Sequence, residues 1–233
     1  MISYFEGTVF NAKTQAIVNT VNCTGVMGAG IALEFKLRYP EMFQDYKLKC
    51  TEKKIVTGKI DYYRYAEGEI IVNFPTKWHF KYPSRLIWIE QGLLDFVNTY
   101  RLHNISSVAF PKLGTSNGGL DWGSVKVLME KYLAPLDIEV HICLDNLKYA
   151  EGAEKIMVEA FNAFGVDELS RIVKLNIKQK EILLRKIPYQ RFWEIERTES
   201  IGTKTYSDLF RHFYLVALGK NVERQQITIF DIQ

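Results

Sequence analysis

The order of elements along this sequence predicts an α/β fold, a three-layer α/β/α sandwich around a mixed, largely parallel sheet, with a helical appendage behind it. Three observations carry that expectation. Strand-like apolar runs alternate with helix-patterned segments from Ile2 to Leu144. Two glycine-rich stretches, around Gly25–Gly30 and Gly114–Gly119, each follow one of those runs, where open α/β sheets bind ligands. From about Lys148 the strand signal fades and helical spacing takes over.

Ile2 to Phe10 reads as a strand broken by Gly7, and Ala16 to Asn22 as a second strand apolar enough to lie inside a sheet. Helical spacing runs from Ile31 to Arg38, is punctuated by Pro40, and resumes from Glu41 to about Cys50. Two short strands, Ile60 to Tyr65 and Ile70 to Phe74, are paired through the turn-like Ala66-Glu67-Gly68 and deliver Lys77 into a loop. Ser84 is placed to cap a long helix with Leu86, Ile89, Leu93, Phe96, Val97 and Tyr100 at helical spacing. Ser107 to Phe110 is the next strand, a helix with Val125, Leu128, Met129 and Tyr132 follows, and Ile138 to Leu144 closes the unit. The appendage shows helical patterning in Glu151–Phe164, Asp167–Leu175, Lys178–Ile187 and Tyr206–Leu218, with a short closing strand at Ile227–Ile232. The expected domains are therefore 1–147 and 148–233.

With 233 residues, 47% of them hydrophobic, the chain can bury one substantial core and a small second one. A net charge of +3 does not by itself demand a nucleic-acid partner. Three cysteines without C-x-x-C spacing suggest neither a disulfide framework nor a zinc site, so a reducing cytoplasm is expected. No run approaches the roughly 20 apolar residues of a membrane span, and no membrane partner is expected. Between Arg171 and Arg191 seven basic residues stand against Glu181 alone. Such a run is either a solvated helix face or, if Tyr189, Phe192 and Trp193 are exposed, a surface that stacks on bases.

Glycines between a strand end and a helix start let the backbone close around a ligand, and the free N–H groups of the first helical turn attract phosphate. GVMGAG has neither the dinucleotide-binding spacing nor the Gly-Lys-Ser/Thr ending of a P-loop. The same glycines could simply turn the corner.

NTVNCTGVMGAGIALEFK resembles the first ligand loop of a macrodomain, in the branch of DarG and the terminal ADP-ribose protein glycohydrolases. PKLGTSNGGLDW, Pro111 to Trp122, resembles the second phosphate loop, and NFPTKWHF, Asn73 to Phe80, resembles the segment carrying a catalytic lysine. The resemblance covers roughly Met1 to Asp145. It implies removal of ADP-ribose from a modified macromolecule, DNA above all, as DarG-type antitoxins reverse the modification made by a toxin ADP-ribosyltransferase. A hydrolase for ADP-ribosylated protein or O-acyl-ADP-ribose, and a reader that binds ADP-ribose without turnover, are the rival readings.

Cutting an ADP-ribosyl bond requires gripping a diphosphate, fixing a ribose and stabilising charge at its anomeric carbon. Backbone amides at Gly28, Ala29, Gly30 and Ile31, with those after Pro111 at Gly114, Thr115, Ser116, Asn117 and Gly118, can hold two phosphates. That grip needs no metal, and no cofactor is implied. Asn22 suits a ribose hydroxyl, the role the resemblance gives it, or the cap of the following turn. Asn19 more naturally holds the loop, and Cys23 is a small buried residue rather than a nucleophile.

Lys77 is the residue that the resemblance makes the nucleophile on the opened ribose, provided its pKa is lowered; Trp78, His79, Phe80 and Lys81 could supply that influence. His79 is a candidate acid/base or a packing residue. Asp121 reads as a helix N-cap. Two departures stand out. Gly118 lies where the protein-directed enzymes carry a catalytic Asp, which favours the DarG type. Gly7-Thr8-Val9 replaces the usual G-D-I/L, so adenine would have to meet Thr8, Val9 or backbone.

Overall fold

A computed structural model describes residues 1–65 and 68–220 of the chain. The expected turn residues Ala66 and Glu67 and the expected strand Ile227–Ile232 lie outside the described residues. The chain divides into two compact units, Met1–Asn146 and a second beginning at Leu147.

The first unit is built on β1 (Ile2–Phe5), β2 (Ala16–Asn22), β3 (Asp61–Arg64), β4 (Ile70–Lys77), β5 (Ser107–Pro111) and β6 (Glu139–Cys143), in spatial order β1-β6-β5-β2-β4-β3. Every pairing is parallel except β3 with β4. Helices α1 (Gly30–Arg38), α2 (Pro40–Thr51), α3 (Leu86–Thr99) and α4 (Trp122–Leu133) cover the sheet. Alternation along β2 decides which side they cover, because successive side chains point to opposite faces. Ala16 and Val18 join Leu93, Phe96 and Met129 of α3 and α4, whereas Ile17 and Val21 join Phe35, Met42 and Tyr46 of α1 and α2. Two buried apolar layers on one sheet give the α/β/α sandwich.

Three local expectations change. Gly7 ends β1 early, and Val9–Asn11 form a 3₁₀ turn instead of continuing the strand. Lys77 is the last residue of β4 rather than a loop residue. The strand continues through Pro75 because β3 pairs only as far as Asn73, so the missing proline N–H faces no strand on that side. The N-cap of α3 is Arg85, and the Ser84 hydroxyl is buried without a hydrogen-bond partner.

The second unit is helical in its described part: α5 (Gly152–Ala163), α6 (Val166–Ile172), α7 (Ile177–Arg185) and α8 (Thr203–Ala217). Its centre is a cluster of rings, with Phe161 edge-on to Tyr189, Phe192 and Phe213 at 5.3 to 6.0 Å. Tyr189 and Phe192 are therefore core residues, and the base-stacking alternative for the basic run loses two of its three aromatics. Arg191 also leaves the basic run: it is buried and paired with Glu154, Nη2 to Oε2 at 3.0 Å, while its Nη1 donates to the Leu147 carbonyl. Lys178 is paired with Glu199 at 3.2 Å on the surface. Among the described residues no helix is long and apolar enough to cross a membrane.

Candidate active site

Five parallel strands end at one edge of the sheet, and the residues singled out from the sequence collect along that edge. The 3₁₀ turn with Val9 follows β1, the first glycine loop follows β2, the second follows β5, and Lys77 ends β4. Thr8 is partly exposed, and its carbonyl accepts from the Asn11 amide. Val9 is buried in the same apolar cluster as Met27 and Phe35, beneath the first loop.

The register of β2 against β4 slips between Val21 and Asn22, so that Asn22 stands opposite Lys77. Beyond it the Cys23 amide donates to the Trp78 carbonyl at 3.3 Å, and the Cys23 thiol donates to the Lys77 carbonyl. Burial pushes that thiol up to about 11, which suits a packed residue rather than a thiolate.

Asn22 organises the first loop. Its Oδ1 accepts from the Thr24 amide at 2.9 Å and the Thr24 hydroxyl at 2.7 Å, and its Nδ2 donates to the Val26 carbonyl. The buried Tyr46 hydroxyl donates to the Asn22 carbonyl at 2.6 Å. Asn22 thus caps the turn that follows it. Asn19 is fully buried; its Nδ2 donates to Asn73 Oδ1 at 3.1 Å, and its Oδ1 has no partner. Met27, buried below, fixes the far end of the loop.

The two glycine loops meet. Gly30 opens α1 at φ +57°, and a Cβ there would come 2.8 Å from Asn117 Nδ2 of the second loop. A Cβ on Gly118 would overlap the Gly114 carbonyl and the Ser84 hydroxyl, so only glycine fits that closely. The Ser84 amide donates to the Gly118 carbonyl at 2.9 Å, and Leu120 closes the loop onto the Gly114 carbonyl. Ala29, the N-cap of α1, supplies no side-chain cap, and the first turn contains no acid. That leaves amides of the turn for an anion. The N-terminus of α4 is different: Asp121 caps it by accepting from the Ser124 amide at 2.8 Å, and those bonds hold its carboxyl below the usual range. Asp121 is thus a cap, as the sequence suggests.

Lys77 reaches across the edge and donates from Nζ to the Asn117 carbonyl, joining the strand end to the second loop. Burial lowers its pKa. Desolvation disfavours the ammonium, so the amine is moved toward its nucleophilic form. His79 stacks on Phe80 at 4.5 Å, and its Nδ1 accepts from the Lys81 amide. The contacts of Tyr46 with Asn22, Asn73 with Asn19 and Ser84 with Gly118 join residues far apart along the chain, and a single sequence holds no local signal for them. Among the described residues no group of three His, Cys, Asp or Glu converges as a metal site would.

The macro domain family model matches residues 18–129, the stretch from β2 through both loops into α4. Through this region the chain belongs to the macro domain family. A solved macrodomain of Mycobacterium tuberculosis DarG is 46% identical, with a TM-score of 0.60 over 61% of this chain and 97% of that one. Thermosipho africanus DarTG, solved in complex with ADP-ribose, is 33% identical with a TM-score of 0.61, over 66% of this chain and 44% of that one. A DNA ADP-ribosyl glycohydrolase of Mycobacterium tuberculosis is 50% identical over 129 residues, 54% of this chain. The chain spans about 37% of that relative's length.

Proposed function

We propose that this protein is a cytoplasmic ADP-ribosyl glycohydrolase that removes ADP-ribose from modified DNA, with Lys77 as its nucleophile. The observation that carries the reading is the juxtaposition of Lys77 with the second glycine loop through the Asn117 carbonyl, beside a first loop whose helix start is uncapped. A diphosphate held on the amides of Gly28, Ala29, Gly30, Ile31, Gly114, Thr115, Ser116, Asn117 and Gly118 would bring the distal ribose toward Lys77. Asn22, at the base of the first loop, supports that ribose, either directly or by shaping the loop.

In this reading the Lys77 amine attacks C1 of the opened ribose, the bond to the base breaks as the base takes a proton, and water then releases ADP-ribose from the lysine imine. The names of the relatives favour DNA as substrate, and the glycine at position 118 agrees with them. A toxin ADP-ribosyltransferase as partner is supported by a similar transferase–glycohydrolase fusion protein of Thermosipho africanus, 34% identical over 161 residues.

The test is single-turnover release of ADP-ribose from ADP-ribosylated DNA, beside ADP-ribosylated protein, by the wild type and the Lys77→Ala and Lys77→Arg variants. Both variants should lose at least about a thousandfold in rate while still binding ADP-ribose, since arginine stays protonated. Near-wild-type rates in Lys77→Ala would remove the covalent role. Binding without release by the wild type would make the protein a reader.

A further inference from the structure

Directly after Lys77 the chain exposes three large rings: Trp78 is 59% accessible, Phe80 42% and Tyr82 55%. They do not hang on a loose loop. Trp78 is tied by its carbonyl to Cys23, the Tyr82 amide donates to the His79 carbonyl at 3.1 Å, and Ser84 is tied to Gly118. Both ends of the segment are therefore fastened to the two glycine loops. Within it the Trp78 and Tyr82 rings lie 7° from parallel, with centroids 6.1 Å apart. Apolar rings held in place in water lose little conformational entropy when a flat partner covers them.

Charge narrows the choice of partner. From Lys77 to Ile89 the sequence carries Lys77, Lys81 and Arg85 and no carboxylate; the first acid is Glu90. Exposed aromatic faces interleaved with cations are the combination that holds an unpaired nucleic-acid strand, the rings taking bases and the cations taking phosphates.

We propose that Trp78 and Tyr82 form a base-stacking platform for single-stranded DNA, which presents the nucleotide bearing ADP-ribose to Lys77. The platform makes the protein selective for unpaired DNA over duplex and over modified protein, because stacked bases in a duplex offer no free face. It rests on the DNA reading above and adds the residues that hold the strand beside Lys77.

The test uses the full chain and a labelled, unmodified oligothymidylate of about twelve nucleotides, beside a duplex of the same length and free ADP-ribose. Affinity is read by fluorescence anisotropy, and by calorimetry for ADP-ribose. Trp78→Ala and Tyr82→Ala should each weaken single-strand binding about tenfold. Trp78→Phe, which keeps a ring, should retain most of the affinity, and free ADP-ribose should bind all variants alike. The proposal is overturned if the wild type does not prefer the single strand, or if the Ala variants bind it as the wild type does. It is equally overturned if those variants lose as much affinity for an ADP-ribosylated peptide, which would make the rings protein-directed. Oligonucleotide binding requires no turnover, so a wild type that binds as expected yet releases nothing from ADP-ribosylated DNA would refute the glycohydrolase reading and leave the platform standing.

Discussion

The two units use their buried polar groups in opposite ways. In the first, Asn22 and Tyr46 fix the backbone of the first loop where β2 ends, and Asn19 reaches Asn73 side chain to side chain across the middle of β2 and β4. In the second, the Arg191–Glu154 pair is enclosed by the helices, and Glu154 Oε1 also accepts the Phe192 amide at 2.9 Å. That pair joins the start of α5 to the ring cluster, and its partners are structural. A parallel sheet brings distant loops to one edge and so creates a site; in this helical unit the described core is aromatic rings and the Arg191–Glu154 ion pair.

Substitutions in the two units should separate binding from stability. The largest effect is expected from Gly118→Glu or Gly28→Glu, which should abolish ADP-ribose binding in calorimetry while the fold survives, with Gly118 the more disruptive because its Cβ overlaps the Gly114 carbonyl. Undiminished affinity in both variants would remove the cradle. Next is Arg191→Met, which strands a buried carboxylate and should cost the second unit about 3–5 kcal/mol in chemical denaturation. The site residues of the first unit should continue to bind ADP-ribose. Smaller again is Asn176→Ala, which removes the reciprocal cap between Asn176 and Gln179 at the start of α7 and should cost about 1 kcal/mol.

The smallest change is a shift in a pH profile. Only the neutral amine is a nucleophile, so the rate should rise with pH as Lys77 loses its proton. Because burial lowers the Lys77 pKa, the midpoint should fall below the roughly 10.4 of an ordinary lysine. A midpoint at the ordinary value would mean that water reaches the amine freely.

The contrast between the units also explains what could be read from the sequence. Strand ends and glycine clusters are local patterns, so both loops, the strand β2 and the Asp121 cap were legible. That Lys77 ends a strand rather than lying on a loop depends on β3 beginning only opposite Asn73, which leaves Pro75 unpaired on that side, and this is a long-range fact. Tyr189 and Phe192 could not be assigned to core or surface, since their burial depends on Phe161 and Phe213, dozens of residues away in one direction or the other. Ser84 looked like a cap because serine favours that position; its amide instead serves Gly118, and the helix starts one residue later.

The central claim, a covalent role for Lys77 at the edge of the sheet, is tested most directly by trapping. ADP-ribosylated DNA is mixed with the full chain in borohydride, which reduces an imine to a stable amine, and the protein is mapped by mass spectrometry. The account predicts an ADP-ribose adduct on the peptide containing Lys77, lost in Lys77→Ala. Undiminished turnover with no adduct, or with the adduct on another residue, would contradict it.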